Sequence, residues 1–302
     1  MGTVVKVGPN VSESLINQRV GIKWLYSACN ECSACSKALL RYCPKQSNTG
    51  RTVPGTLQQY ALADARFITR IPDGLLDEIV APFLCAGLTM AGAISRLDNE
   101  VRPGDWVVVT GSGGGLRHIS VQIAARLKEY RVIAVDSTEA KRRLSLDSGA
   151  EAFIDFATED VEARVKELTG EGAHAVLAVS GSEASFTTAP KLVRNLGVIV
   201  CVGLPRNDFN LPISTTGCAV RGMGPSTYDR WRSMRRLITF IGLTIKVAAV
   251  GTEKQMDELL QLAITGKIKP LVEVLDFSET GSVFEKLRRD GIIGRVVVKI
   301  PQ

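Results

Sequence analysis

Two kinds of hydrophobic patterning divide the chain. In residues 1–87 the apolar runs are short and broken by Gly, Pro and Asn. TVVKVG (3–8), RVGIKWL (19–25) and LQQYALA (57–63) read as strands, which predicts an irregular all-β lobe. From Asp105 onward, compact apolar runs alternate with stretches whose apolar residues recur every three to four positions. WVVVTG (106–111) predicts a buried strand, a glycine run follows it, and ISVQIAARLK (119–128) has helical spacing. RVIAVD (131–136) predicts a second strand, followed by a helix at 139–147, the run AFIDF and a helix near 158–168. HAVLAVS (174–180), a helix near 183–195, VIVCVG (198–203) and a short final strand complete the series. Strands alternating with helices imply right-handed crossovers and a parallel sheet. The expected organisation is a β-rich lobe at 1–87, a nucleotide-type domain at 88–222, and a return at 247–302 that completes the interface and the lobe.

Composition adds exclusions. The chain has 302 residues, 45% hydrophobic and 23% charged, ordinary for a globular protein with room for two cores. No stretch reaches the roughly 20 apolar residues of a membrane span; LITFIGLTIKVAAV (237–250) comes nearest, and Lys246 interrupts it. The start, MGTVVKVGPN, has no basic segment followed by an apolar one, so a cytoplasmic protein with no membrane partner is expected. The formal charge of +6 is concentrated in 223–246, where Arg230, Arg232, Arg235, Arg236 and Lys246 face Asp229 alone and supply +4, leaving +2 elsewhere. A charge placed in this way is no footprint for nucleic acid.

Two motifs carry chemistry. Cys29, Cys32, Cys35 and Cys43 follow the order C-x2-C-x2-C-x7-C, and short loops let four such thiolates converge on one tetrahedral ion. A structural zinc ion is the expected occupant, and seven cysteines in all fit poorly with complete disulfide pairing. Cys201 and Cys218 lie in apolar runs and read as core. The second motif is Gly111-Ser112-Gly113-Gly114-Gly115-Leu116-Arg117-His118 between strand and helix. Small residues there admit a pyrophosphate close to the backbone. Asp136 ends the next strand, where a carboxylate accepts hydrogen bonds from ribose hydroxyls and repels a 2′-phosphate, favouring NAD over NADP. His118 is expected on a helix surface.

With these residues in place the chain resembles the zinc-containing medium-chain alcohol dehydrogenases, closest to the yeast and fungal branch. The resemblance rests on GIKWL, the cysteine cluster, GTLQQYALAD, APFLCAGLT, the glycine loop, VIAVD, GAEAFIDF, VIVCVGLP and GIIGRVVV. It implies an α/β fold: a Rossmann-type doubly wound parallel sheet beside a GroES-like β-rich catalytic domain. It also implies NAD-dependent hydride transfer between alcohols and aldehydes or ketones, with dimers or tetramers formed through the nucleotide domain. Carried over to this chain, Cys29, Cys32, Cys35 and Cys43 hold the structural zinc, and Cys85 is one ligand of a catalytic zinc with Thr89 near the nicotinamide. Gly111, Gly113, Gly114, Gly115 and Leu116 form the phosphate loop, Asp136 and Lys141 hold the adenosine ribose, and Arg295 reaches the pyrophosphate. Val202, Gly203 and Leu204 line the nicotinamide pocket.

Three departures shape the expectations. The family's early Cys and Gly-His-Glu zinc ligands have no counterpart before TVVKVG, so the β-rich lobe reads as incomplete at its N-terminus and a catalytic zinc as poorly held. Arg117 replaces the loop's third glycine, and must either turn toward solvent or phosphate or push the helix away. Residues 223–246 read as an insertion, either a translated intron or a basic amphipathic docking segment. A non-catalytic NAD- and zinc-binding protein, and a zinc-independent quinone or enoyl reductase, are the alternative functions.

Overall fold

In the computed structural model of the protein, the described residues are 1–204, 242–248, 250–289 and 291–301. The first lobe carries β1 (Gly2–Thr3), β2 (Arg19–Gly21), β3 (Leu25–Ser27), β4 (Ser47–Asn48) and β5 (Thr69–Arg70). β1, β2 and β5 form one antiparallel sheet, and β3 pairs with β4. Helix α1 (Asp77–Val80) and helix α2 (Ala86–Ile94) then lead into the second domain.

That domain alternates strand and helix: β6 (Trp106–Thr110), α3 (Arg117–Gln122), β7 (Arg131–Asp136), α4 (Glu139–Asp147), β8 (Ala152–Asp155), α5 (Val161–Thr169), β9 (Ala173–Ala178), α6 (Glu183–Leu192), β10 (Val193–Cys201) and β11 (Thr244–Val247). All six strands are parallel, in the order β11-β10-β9-β6-β7-β8. The expected doubly wound sheet is therefore present, and its runs are continuous because both faces are covered. Val107, Val109, Val132, Ala134, Leu177 and Val200 pack toward α2, α3 and Met256, Leu259 and Leu260. Val108, Ile133, Val135, Val176 and Ile199 point the other way, toward Val165, Ala189 and Leu192. Chain order reverses between β6 and β9, and in open sheets of this kind ligands bind at the carboxyl ends of the strands at that point.

The chain ends with α7 (Glu253–Ile264), β12 (Val272–Asp276), α8 (Thr280–Arg288) and β13 (Arg295–Lys299); β12 and β13 pair in parallel. A full capping box at Thr252 and Gln255 starts α7 and satisfies its first amides.

Several local expectations are corrected. Only Gly2–Thr3 at the edge of TVVKVG is a strand, and LQQYALA is none, with Tyr60 and Leu62 exposed. Most of the segment expected as an insertion lies outside the described residues, as does Cys218. Its final residues, 244–246, belong to β11 at the edge of the main sheet.

The lobe is bolted to α7 by a largely buried cation. Lys23, 7% exposed, donates to Thr69 Oγ1 at 2.6 Å and pairs with Glu253; Thr69 Oγ1 in turn donates to Glu253 Oε1 at 2.8 Å. Removing one partner of such a set strands the other. Glu253→Ala is expected to destabilise the fold by about 1–2 kcal/mol, read as a shift in urea midpoint. Glu285→Ala, which breaks a solvent-exposed pair with Arg288, should cost at most about 0.5 kcal/mol.

Candidate cofactor cleft and metal centre

The carboxyl ends of β6, β7, β9 and β10 gather the residues of the cleft. After β6 the chain turns through Gly111, whose φ is +69°, and its N–H donates to Val135 O. Of the three glycines that follow, Gly113 and Gly115 stand where side chains are excluded. A Cβ on Gly113 would collide with the stem of Lys141, and one on Gly115 would lie 2.6 Å from Arg295 Cδ and 2.8 Å from Gly294 O. The loop is fastened below by Ser112 and Ser145, both fully buried with Oγ atoms 2.7 Å apart. Ser145 Oγ donates to Lys141 O, so the proton between the two hydroxyls comes from Ser112. Residue spacing alone gives no hint of this pairing across 33 positions.

Asp136, 2% exposed, ends β7 inside this arrangement. Its Oδ2 accepts from Gly113 N at 2.9 Å; its Oδ1 accepts from Ser137 N at 2.8 Å and Lys141 Nζ at 3.0 Å. A carboxylate offers about four acceptor sites, so three donors leave room for one more. The turn beyond it is tight: Thr138 has a φ of +78°, which a β-branched residue seldom adopts.

Arg117 turns back onto the loop. Its Nη1 lies 2.8 Å from the Cβ positions of both Gly111 and Gly114, so the guanidinium folds back over the glycine run. Arg295 covers Gly115 from the C-terminal side. Two guanidinium groups thus flank the glycines of the loop, a fit for a doubly charged pyrophosphate. Opposite, Gly203 N donates to Ala178 O at 3.0 Å, and a Cβ on Gly203 would strike the Ser180 carbonyl. That contact draws the post-β9 and post-β10 loops together, with Val202 half-buried and Leu204 exposed beside it.

The surface position expected for His118 is overturned: the residue is fully buried, with one ring nitrogen 3.1 Å from Gly114 O and the other 3.0 Å from Leu271 N. His174 is half-buried and equally occupied. Its Nδ1 accepts from Trp106 N, and its Nε2 faces Asp105 Oδ1 at 3.1 Å.

Cys85 is exposed at the break before α2, and its carbonyl accepts from Thr89 N one turn on. Among the described residues the four-cysteine cluster is the only group of three or more His, Cys, Asp or Glu side chains close enough to share an ion, so Cys85 has no such set around it. A catalytic zinc at Cys85 does not fit a single thiol donor.

The structural centre does fit its metal. Two short helical turns, Cys35–Lys37 and Leu40–Tyr42, fold the loop so that all four Sγ atoms lie within 4.8 Å of one another. The closest separations are 3.5 Å for Cys43–Cys29, 3.6 Å for Cys32–Cys35 and 3.9 Å for Cys29–Cys35. A tetrahedron of Zn–S bonds of about 2.3 Å has edges of about 3.8 Å. The backbone amides of Glu31 and Cys32 pull the Cys29 thiol down to about 6, whereas burial pushes Cys35 up to about 12. A bound dication deprotonates all four. Cys43, 1% exposed, packs with Ala28, Cys35 and Phe67 in a small core of its own. Cys43→Ser is expected to lower zinc content from about one ion per chain to near zero, checked by elemental analysis after gel filtration.

Known proteins share this architecture and these motifs. The family described as "Alcohol dehydrogenase GroES-like domain" matches residues 1–73, and the one described as "Zinc-binding dehydrogenase" matches residues 115–265. An alcohol dehydrogenase of Geobacillus stearothermophilus is 36% identical over 302 residues, covering 100% of this chain and 81% of the relative. Alcohol dehydrogenase 2 of Emericella nidulans is 35% identical over 311 residues, covering 99% and 79% respectively. The crystal structure of the alcohol dehydrogenase from the archaeon Aeropyrum pernix superposes with a TM-score of 0.82 at 26% identity, over 99% of this chain and 80% of that one. A structure of an NAD-dependent alcohol dehydrogenase gives 0.81 at 26%, over 99% and 81%. The glycine-loop sheet, the four-sulfur lobe and these likenesses together place the chain in the zinc-type medium-chain alcohol dehydrogenase family.

Proposed function

We propose that the chain is an NAD(H)-dependent, zinc-type alcohol dehydrogenase that interconverts small alcohols with aldehydes or ketones. The observation that carries the reading is the bare glycine loop at the switch point, bracketed by Asp136 and Lys141 on one side and by Arg117 and Arg295 on the other. When bound, the nicotinamide supplies hydride chemistry at its C4 carbon. The chain's own residues bind and orient it. Gly111, Gly113, Gly114, Gly115 and Leu116 admit the pyrophosphate, and the two arginines balance its charge. Asp136 takes a ribose hydroxyl on its remaining acceptor site, and Lys141 donates beside it. The carboxylate disfavours a 2′-phosphate, which selects NAD over NADP. Val202, Gly203 and Leu204 flank the nicotinamide end, and Thr89 stands one helical turn from Cys85 on the substrate side. The Cys29–Cys43 loop holds zinc as a structural ion.

We further propose a cytoplasmic dimer or tetramer. Among the described residues no single helix is long and apolar enough to cross a membrane.

One observation favours a second reading. Cys85 lacks companion donors among the described residues, which suits a protein that binds NAD and one zinc ion without turnover. Three measurements on the same preparation separate the readings: zinc per chain, NADH affinity by fluorescence, and NAD reduction with a panel of primary and secondary alcohols. The dehydrogenase reading expects NADH binding together with turnover. Binding without turnover selects the second reading, and NAD(P)H oxidation that survives chelation selects a zinc-independent reductase. Asp136→Ala is expected to weaken NADH binding by about tenfold and to narrow the preference over NADPH. Unchanged discrimination would remove Asp136 from the ribose site.

A further inference from the structure

We infer that His118 is a positioning residue for cofactor binding, its imidazole closing a ring of contacts that holds Arg295 over the glycine loop. The inference rests on the reading of the cleft as an NAD(H) site.

The ring can be followed atom by atom. Leu271 N lies 3.0 Å from His118 Nε2, and a backbone amide can only donate, so Nε2 carries the lone pair. The ring proton is then on Nδ1, which donates to Gly114 O at 3.1 Å. Leu271 O accepts from Arg295 N at 2.9 Å. The side chain of Arg295 returns over Gly115, with Cδ 2.6 Å and Nη1 3.0 Å from that residue's Cβ position. Glycine loop, imidazole, Leu271 peptide and Arg295 thus form one closed circuit, centred on a side chain that is fully buried.

One turn along, Gln122 holds the same segment a second time. Its Nε2 donates to Lys269 O at 2.9 Å, and its Oε1 accepts from Lys269 N at 2.8 Å. Gln122 grips the segment without touching the loop, whereas His118 touches both. Gln122 therefore fixes the segment, and His118 fixes its register against the loop that receives phosphate.

The circuit requires a neutral imidazole. Burial, and after it the Arg295 cation, hold the His118 pKa below its ordinary value, against the pull of the Gly114 carbonyl. Arg295 faces it from β13, Arg117 precedes it on its own helix, and Lys269 lies two residues from Leu271 on the packed segment. Each of these groups is cationic. Protonation would set an N–H against the Leu271 N–H and open the circuit. Because the folded pKa is depressed, the contribution is intact above the ordinary histidine value of about 6.5 and is lost as pH falls below it.

The test is a double-mutant cycle on the full-length chain, read as NADH dissociation constant by fluorescence at about pH 8. His118→Leu is expected to weaken binding about tenfold. In the Arg295→Ala background the same change should cost less than about twofold, because the residue it positions is gone. His118→Gln, which can accept from Leu271 and donate to Gly114 with no titration, should recover most of the affinity. It should also abolish the loss of affinity that the wild type shows as pH falls below about 6.5, through the depressed pKa of the folded state. If His118→Leu does not fold, the pH profile of His118→Gln decides the matter alone. Equal costs in both backgrounds, or a His118→Gln profile matching the wild type, would overturn the inference. A wild type that binds no NADH at all at pH 8 would instead sink the cofactor reading, and the inference with it.

Discussion

The cleft depends on backbone approaching backbone with nothing between. Gly115 lies against the Gly294 carbonyl, and Gly203 lies against the Ser180 carbonyl. Each contact brings two separate parts of the chain together. A methyl group at either glycine would push a loop outward. The sheet supplies the rigidity that makes such contacts tolerable, since its central strands are buried on both faces. Position at this site is therefore set by what is missing from the side chains as much as by what they contribute.

Polar links join the two lobes alongside an apolar cluster that runs from Ile71, Leu75 and Leu84 to the main sheet and Met256. Lys23, Thr69 and Glu253 form such a link. Apolar packing is permissive about register, whereas an ammonium group held between a hydroxyl and a carboxylate has one satisfactory arrangement. The cost is desolvation of a charge, moderated here because the Glu253 side chain remains half exposed. The metal-binding loop stands apart, with its own small core around Phe67.

How much of this was legible in the sequence varied with burial. WVVVT, RVIAVD and AFID were readable as strands because both of their faces are covered, which leaves an unbroken apolar run. The four cysteines were readable because metal geometry constrains their spacing directly. LQQYALA was misread because alternation signals a half-buried strand only where a partner strand exists, and this stretch has none. Residues 244–246 were absorbed into an expected insertion because 223–246 has no clean helical or strand periodicity; the sheet edge tolerates the lysine there, and Lys246 Nζ reaches Arg96 O and Glu100. Arg117 and His118 were the least legible. Their roles come from contacts with Gly111, Gly114 and Leu271, up to 153 positions away, and no local pattern encodes such a meeting.

The fate of the two histidines bears on the chain's metal chemistry. In His118 and His174 alike, one nitrogen donates its N–H to an oxygen and the other accepts a hydrogen bond from the main chain. An imidazole so engaged has no electron pair to spare for a passing dication. Raising the concentration of zinc, cobalt or copper around the folded protein therefore recruits sulfur and carboxylate donors and leaves these nitrogens untouched. Among its described residues, the chain has set its histidines to architecture and left coordination to cysteine.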